Sequence, residues 1–272
     1  MQRKAAVIND FSSYGRCSLA VAIPVLAAMK VQCCAVPTAI FTNHTGFPSF
    51  SWTDYTAHMD DYIREWLKLG LSFDAVQSGF LGSKAQIDFV FRFLKAFRRP
   101  GTIVAVDPVM GDYGRLYSTY DRELAEGMRR LLAVADILTP NLTEACVLAG
   151  CAYDPEISDA GLLALAKTIS EPNGAKVVIT GMQRDGALLN FAYERGKAPF
   201  VHCESKIGED RSGTGDVFSS VILGDAINGV DFAESVAKAS RFVASAVRKS
   251  EELGVGHKEG PAIEEVLGEL IA

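Results

Sequence analysis

Arg211-Ser212-Gly213-Thr214-Gly215-Asp216 runs directly into the apolar series Val217, Phe218, Val221, Ile222 and Ile227, whose spacing predicts a helix beginning at the aspartate. Two glycines around a threonine at a helix entry leave backbone N–H groups unobstructed by Cβ atoms. The first helical turn also carries unpaired donors and the positive end of the dipole. The segment therefore reads as an anion cradle. Asp216 is poorly suited to hold a phosphate itself, but a carboxylate beside such a cradle can take the proton from a group attacking one. Taken alone, the four residues fit equally well a cap, by Thr214 or Asp216, after a glycine turn.

Outward from the cradle, the chain alternates short apolar runs with amphipathic ones. Ala5 to Ile8 reads as a buried strand ending in the polar turn 9–15, where Asp10 lies. A helix with Leu19, Ile23, Leu26 and Ala27 on its apolar face, kinked at Pro24, leads to a second strand within Gln32 to Ile40. Ser51-Trp52-Thr53-Asp54 resembles a capping box opening a helix to about Leu69, and Ser83-Lys84-Ala85-Gln86 is a better one opening a helix through Phe97. Further strands are expected over Asp74 to Ser78, Thr102 to Val106, Ile137-Leu138 and Ala175 to Thr180. Ala187 to Ala192 and Phe200 to Cys203 suggest a hairpin edge, and helices are expected over Asp121 to Ala133, Ser158 to Ser170, Phe232 to Arg248 and Ala262 to Ile271.

This alternation implies an α/β fold with a mostly parallel sheet covered by helices on both faces, where ligands bind beyond the carboxyl ends of strands. Asp10, Thr45, Asp107, Asp112, Asn141 and Thr180 all fall at such ends. Asp107-Pro108-Val109-Met110-Gly111-Asp112 places two carboxylates in one turn. Thr139-Pro140-Asn141-Leu142-Thr143-Glu144 brings Asn141 and Glu144 together, either as a helix cap with its third helical residue or as ligands. So many metal- and phosphate-compatible groups on one edge argue against purely local roles.

The 272 residues, 49% hydrophobic and 22% charged with a formal net charge of -6, exclude disorder and argue against a nucleic-acid surface. With no internal repeat or linker, they are read as one domain, 1–272. The six cysteines show no C-x-x-C spacing and the four histidines no metal-ligand pattern with them, so reduced thiols in a cytoplasmic protein are expected. No run is long enough to span a bilayer.

Five blocks in order, Phe41-Thr42-Asn43-His44-Thr45-Gly46, Asp107 to Asp112, Thr139 to Ala145, Val177-Val178-Ile179-Thr180 and Gly213 to Asp216, resemble the ribokinase-like small-molecule kinases, and the N-H-T-G loop narrows the resemblance to the vitamin B6 kinases. The resemblance covers essentially the whole chain. It implies a three-layer ribokinase-like fold, a homodimer and transfer of phosphate from ATP to a vitamer hydroxymethyl group. Asp216 becomes the general base, with the Gly213, Thr214 and Gly215 backbone around the transferred phosphoryl group. Asp112 and Glu144 become Mg²⁺ positions, and Asp107, Thr139, Asn141, Thr180 and Gly181 surround the triphosphate and a monovalent cation such as K⁺. Asp10, Phe41, Asn43, Thr45 and Phe80 become the vitamer pocket, with His44 in a structural hydrogen-bonding role.

The chain departs from that pattern at Asp10, where many B6 kinases have Ser, at Gly15-Arg16-Cys17-Ser18, at Gly181 and at Arg211-Ser212. Asp10 reads either as a turn-capping residue or as a substrate contact favouring amino-bearing substrates. The N-terminal Asp-x-Ser is also similar to hydroxymethylpyrimidine kinases of thiamine biosynthesis, the alternative enzymatic reading. A sugar kinase fits less well, because no insertion for a lid follows the first strands. A non-catalytic pyridoxal-phosphate-binding protein would have no need of a base beside an anion cradle.

Overall fold

The structure, a computed structural model, describes residues 2–271. Its centre is β1 (Arg3–Ser12), in which Ala5 to Ile8 are fully buried on both faces, as strands of a doubly covered parallel sheet must be. Alternate side chains enter different cores. Ala6 and Ile8 pack with Phe89, Phe93 and Phe97 on one face, and Ala5 and Val7 with Leu19, Val25 and Val221 on the other.

On one side of β1 lie β2 (Val31–Phe41) and β3 (Trp52–Asp54). On the other lie β4 (Ala75–Ser78) and β5 (Ile103–Val106), and, past the small β6 (Gly111–Asp112) and β7 (Arg115–Leu116) hairpin in sequence, β8 (Ile137–Leu138), β9 (Lys176–Arg184), β10 (Ala187–Tyr193) and β11 (Phe200–Ser205). The nine strands of the main sheet follow the order β11-β10-β9-β8-β5-β4-β1-β2-β3. Every pairing from β2 to β9 is parallel, while β3, β10 and β11 add antiparallel edges.

Helices α1 (Ser18–Ala28), α7 (Thr214–Asn228) and α8 (Phe232–Glu252) cover one face. The other is covered by α2 (Thr56–Lys68), α3 (Lys84–Phe97), α4 (Arg122–Met128), α5 (Leu142–Ala149) and α6 (Asp159–Ser170). The three-layer ribokinase-like α/β architecture is thus as expected, and the parallel strands deliver their following loops to one edge.

Several local readings change. The segment expected as a polar turn after Ile8 remains strand to Ser12, with the register against β2 shifting between Asn9 and Phe11, so Asp10 is a buried strand residue. In the almost wholly apolar α1, Ile23 and Ala27 face outward and Val21, Ala22 and Val25 inward, because a helix without a polar stripe does not announce its face. Trp52 to Asp54 pair with Phe41 to Ala39 as an edge strand, and Asp54 accepts from the Thr56 N–H at 2.7 Å in the turn that leads into the next helix. Ser83 accepts from the Gln86 N–H at 3.3 Å as a cap should, but the Gln86 side chain turns to the Gly82 N–H and the Thr38 carbonyl. The expected C-terminal helix is realised as 3₁₀ turns over Ile263–Glu265 and Leu267–Leu270, which still bury Ile263, Val266 and Leu270.

Candidate active site

At the entrance to α7, Gly213 has φ +83° and a Cβ there would lie 1.8 Å from the Arg16 carbonyl oxygen, so no other residue fits this turn. A Cβ on Gly215, by contrast, would meet nothing within 4 Å, which leaves open space above the first amides of the helix. The Thr214 hydroxyl donates back to the Arg211 carbonyl at 3.2 Å. Buried Arg211 pins this loop by donating to the Val255 and Gly256 carbonyls and to Glu251. These are the features of an anion cradle held rigid from below.

Asp216 follows at once. Its Oδ1 accepts from the Asn9 Nδ2 at 3.3 Å, and the Ser18 backbone N–H lies close enough to the carboxylate to favour its ionised form. Burial pushes its pKa up, the two donors pull it down, and nearby Asp10 raises it again, leaving it at about 6. A carboxylate in that range is mostly ionised at neutral pH yet more basic than a solvated one, as a proton acceptor needs.

A cleft of about 540 Å³ opens over the cradle, with Asp107, Asp112, Thr139, Asn141, Glu144, Thr180 and Gly181 in its wall together with Gly213 to Asp216. The structure therefore brings together all the residues expected at catalysis, triphosphate and metal, from four separate segments of the chain. A contiguous cavity of about 200 Å³ shares Thr180, Gly181 and Gly215 and is walled by Leu188, Phe218, Val243 and Val247, a slot of the right character for a planar heterocycle.

The cleft concentrates negative charge. Burial raises the Asp107 carboxyl and the charge of Asp216 raises it further, while Glu144 is raised first by burial and then by Asp107; Asp112 is raised by burial. The basic side chains in these walls are already committed, Arg211 to Glu251 and Lys206 to Asp210. An all-oxygen, uncompensated set of this kind fits a hard cation such as Mg²⁺. Among the described residues no three His, Cys, Asp or Glu side chains converge to cage a metal unaided, which suits an ion that retains waters and phosphate oxygens. Glu144 also forms a capping box with Asn141. Its Oε2 accepts from the Asn141 N–H and Oε1 from the Met110 N–H, each oxygen keeping a second lone pair toward the cleft.

The expected substrate-pocket residues do not line this cleft, and Asn9 links the Phe80 backbone to Asp216. Phe41 is buried, stacked on Trp52 at 5.4 Å, and meets Phe80 edge-on at 6.1 Å. Thr45 is exposed and makes no hydrogen bond among the described residues. Asn43 spends its side chain on the loop itself, donating to the Ser49 carbonyl at 2.7 Å and accepting from Thr42. His44 Nδ1 accepts from the Gly46 N–H, so Nε2 carries the proton and donates to the Lys258 carbonyl at 2.6 Å, a structural role as expected. Asp10 does not face open space: Oδ1 accepts from the Ser18 hydroxyl at 2.5 Å and Oδ2 from the Ser12 hydroxyl at 3.0 Å.

Sequence reasoning missed Asn9 and Ser18, which sit against Asp216, and Tyr113, Tyr117 and Tyr153 in the cleft wall. An Asn at the last fully apolar turn of a central strand was the one available signal for Asn9. Nothing in a serine's identity announces the Ser18 geometry.

A profile of the phosphomethylpyrimidine kinase family matches residues 22–262, and the chain belongs to that family. Its relatives include the pyridoxine/pyridoxal/pyridoxamine kinase of Bordetella pertussis, 27% identical over 89% of this chain and 88% of that one. Among solved structures, a Bacteroides thetaiotaomicron protein described as a phosphomethylpyrimidine kinase and crystallised with pyridoxal is 36% identical, with a TM-score of 0.95 over 100% of this chain and 96% of that one. The pyridoxal kinase of Lactobacillus plantarum is 27% identical, with a TM-score of 0.92 over 100% and 97%.

Proposed function

We propose that this protein is an ATP-dependent kinase acting on the 5′-hydroxymethyl group of a vitamin B6 vitamer (pyridoxal, pyridoxine or pyridoxamine), working as a single catalytic domain and as a homodimer in the cytoplasm. The observation that carries the reaction type is Asp216, raised to about 6 and fixed by two donors, at the junction of an anion cradle and an acidic cleft. The substrate class is supported by the aromatic wall of Phe41 and Phe80 beside that base and by the pyridoxal-bound relative of the same fold. The six free thiols suit a reducing compartment.

In this reading the vitamer ring lies against Phe41 and Phe80, with Thr45 free to meet a ring substituent. Its hydroxymethyl oxygen attacks the γ-phosphorus of ATP as the proton passes to Asp216, the bond to the β–γ bridging oxygen breaks, and ADP leaves. Backbone amides from Gly213 to Gly215 meet the charge on the transferred group, and the cavity beyond Thr180 and Gly181 takes the nucleobase. Mg²⁺, when bound, neutralises phosphate charge, and Asp112 and Glu144 are the residues that would hold it, directly or through water.

Phosphorylation of hydroxymethylpyrimidine is the second reading, favoured by the name of the matching family. Steady-state assays offering pyridoxal, pyridoxine, pyridoxamine and hydroxymethylpyrimidine with Mg²⁺ and ATP decide between them. A B6 vitamer is expected to have the largest kcat/KM, and a clear preference for hydroxymethylpyrimidine would reverse the assignment.

A further inference from the structure

Ser18 is the first residue of α1 and has φ +51°, the left-handed region that a residue with a Cβ enters only when its surroundings hold it there. It faces two carboxylates. Its backbone N–H lies against Asp216, and its hydroxyl donates to Asp10 Oδ1 at 2.5 Å. Asp10 is fixed in turn. Its Oδ2 accepts from Ser12 at 3.0 Å, its own N–H donates to Asn9 Oδ1 at 2.9 Å, and only 6% of its surface is exposed.

We propose that Asp10 is a positioning residue for the catalytic base: its carboxylate anchors the Ser18 hydroxyl, and the anchor keeps Ser18 in the left-handed conformation that aims its N–H at Asp216. This rests on Asp216 being the base. A buried carboxylate needs donors, and two serine hydroxyls on its own sheet edge supply them without any substrate group. A serine at positive φ needs an anchor, and the Asp10 bond is the short one it has. Cutting that anchor lets Ser18 relax toward negative φ, which swings its N–H away from Asp216 and frees the carboxylate to rotate. Glycine would hold the same φ with no anchor at all. Asp10 and Ser18 are thus coupled, and the coupling is visible only in turnover.

The test is a double-mutant cycle on the full chain, with kcat and KM measured for pyridoxal and ATP and thermal melting run in parallel. Asp10→Ala is expected to lower kcat by about 10- to 100-fold, the scale of a misplaced catalytic group, with the pyridoxal KM unchanged within about twofold. Ser18→Gly, which keeps the backbone N–H and reaches positive φ without an anchor, serves as the second background, and Asp10→Ala added to Ser18→Gly is expected to cost no more than about threefold further. Ser18→Ala, which keeps the N–H but has neither anchor nor glycine's freedom, should lose kcat as Asp10→Ala does; it carries the test if Asp10→Ala does not fold. A kcat loss of the same size in both backgrounds, a fully active Ser18→Ala, or a tenfold or larger rise in pyridoxal KM would each overturn the proposal, the last by assigning Asp10 to the substrate. Asp216→Asn, assayed alongside, separates the two levels. If it is inactive while the coupling is absent, the positioning role alone fails; if it turns over normally, the base assignment fails and takes the positioning role with it.

Discussion

The Asn9 side-chain amide donates to Asp216 Oδ1 at 3.3 Å, joining a central strand to a helix entrance 207 positions away. The orientation of that amide is fixed, because Asn9 Oδ1 already accepts from the Asp10 and Phe80 N–H groups at 2.9 and 2.8 Å. One side chain thereby ties the backbone of Phe80 to the carboxylate of Asp216.

Asn9→Asp should therefore be more damaging than its size suggests. A second carboxylate would face Asp216 at hydrogen-bond distance and lose the two accepted N–H bonds only if it rotated away. Like charges raise each other's pKa, so the acid limb of the kcat/KM profile, expected near the wild-type value of about 6, should move to higher pH. An unmoved limb would show that Asn9 does not face the base.

The two cradle glycines should fail differently. Gly213→Ala places a Cβ against the Arg16 carbonyl at positive φ and should destabilise the fold, by about 1–3 kcal/mol for the backbone strain alone. Gly215→Ala meets no protein atom, so its melting temperature should match wild type while its methyl group intrudes on the phosphoryl path and lowers kcat. Equal melting losses in both would refute this distinction.

Asp107 and Asp216 both have folded-state pKa values raised above 3.8, first by burial. The folded state therefore keeps protons that the unfolded chain releases. With fewer protons bound in the unfolded state, the contribution of these groups to stability falls as pH rises from about 4 through their folded values. In the absence of nucleotide and Mg²⁺, Asp107→Asn should melt higher than wild type at pH 8, by about 2–4 °C for each kcal/mol recovered, and should have a flatter dependence on pH. A lower melting point at pH 8 would contradict it.

The two metal candidates can be told apart by stability. Asp112 lines the cleft and, among the described residues, accepts only from the neighbouring Tyr113 N–H, so Asp112→Asn should raise the Mg²⁺ concentration for half-maximal rate with little change in melting. Glu144→Gln replaces one of two accepting oxygens with a donor facing a backbone N–H, so it should lose one of the bonds to the Asn141 and Met110 N–H groups as well, about 1 kcal/mol or more. Melting curves and Mg²⁺ titrations of both variants check this.

Much of the fold was legible because its strands are buried on both faces and so read as continuous apolar runs, as Val177 to Ile179 does. The cradle was legible because a glycine pair around a threonine before an apolar helical run marks a tight turn into a helix, and at Gly213 only glycine fits against the Arg16 carbonyl. What stayed hidden depends on tertiary partners. Ser51-Trp52-Thr53-Asp54 satisfies a capping pattern and an edge strand alike, and only its pairing with Phe41 to Ala39 decides. Ile263, Val266 and Leu270 have helical spacing but are reached by 3₁₀ turns. Asp10 could be placed at the right edge of the sheet, yet the direction of its carboxylate depends on Ser12 and on a serine in a conformation that serine's identity does not suggest.

The most direct test of the account is Asp216→Asn, which keeps the size of the side chain while replacing the basic carboxylate with a non-basic amide. With pyridoxal, Mg²⁺ and ATP, kcat is expected to fall by about 10²- to 10⁴-fold while ATP affinity, measured by direct binding, stays within about threefold of wild type. Undiminished turnover would contradict the central claim that Asp216 is the base of a phosphoryl transfer.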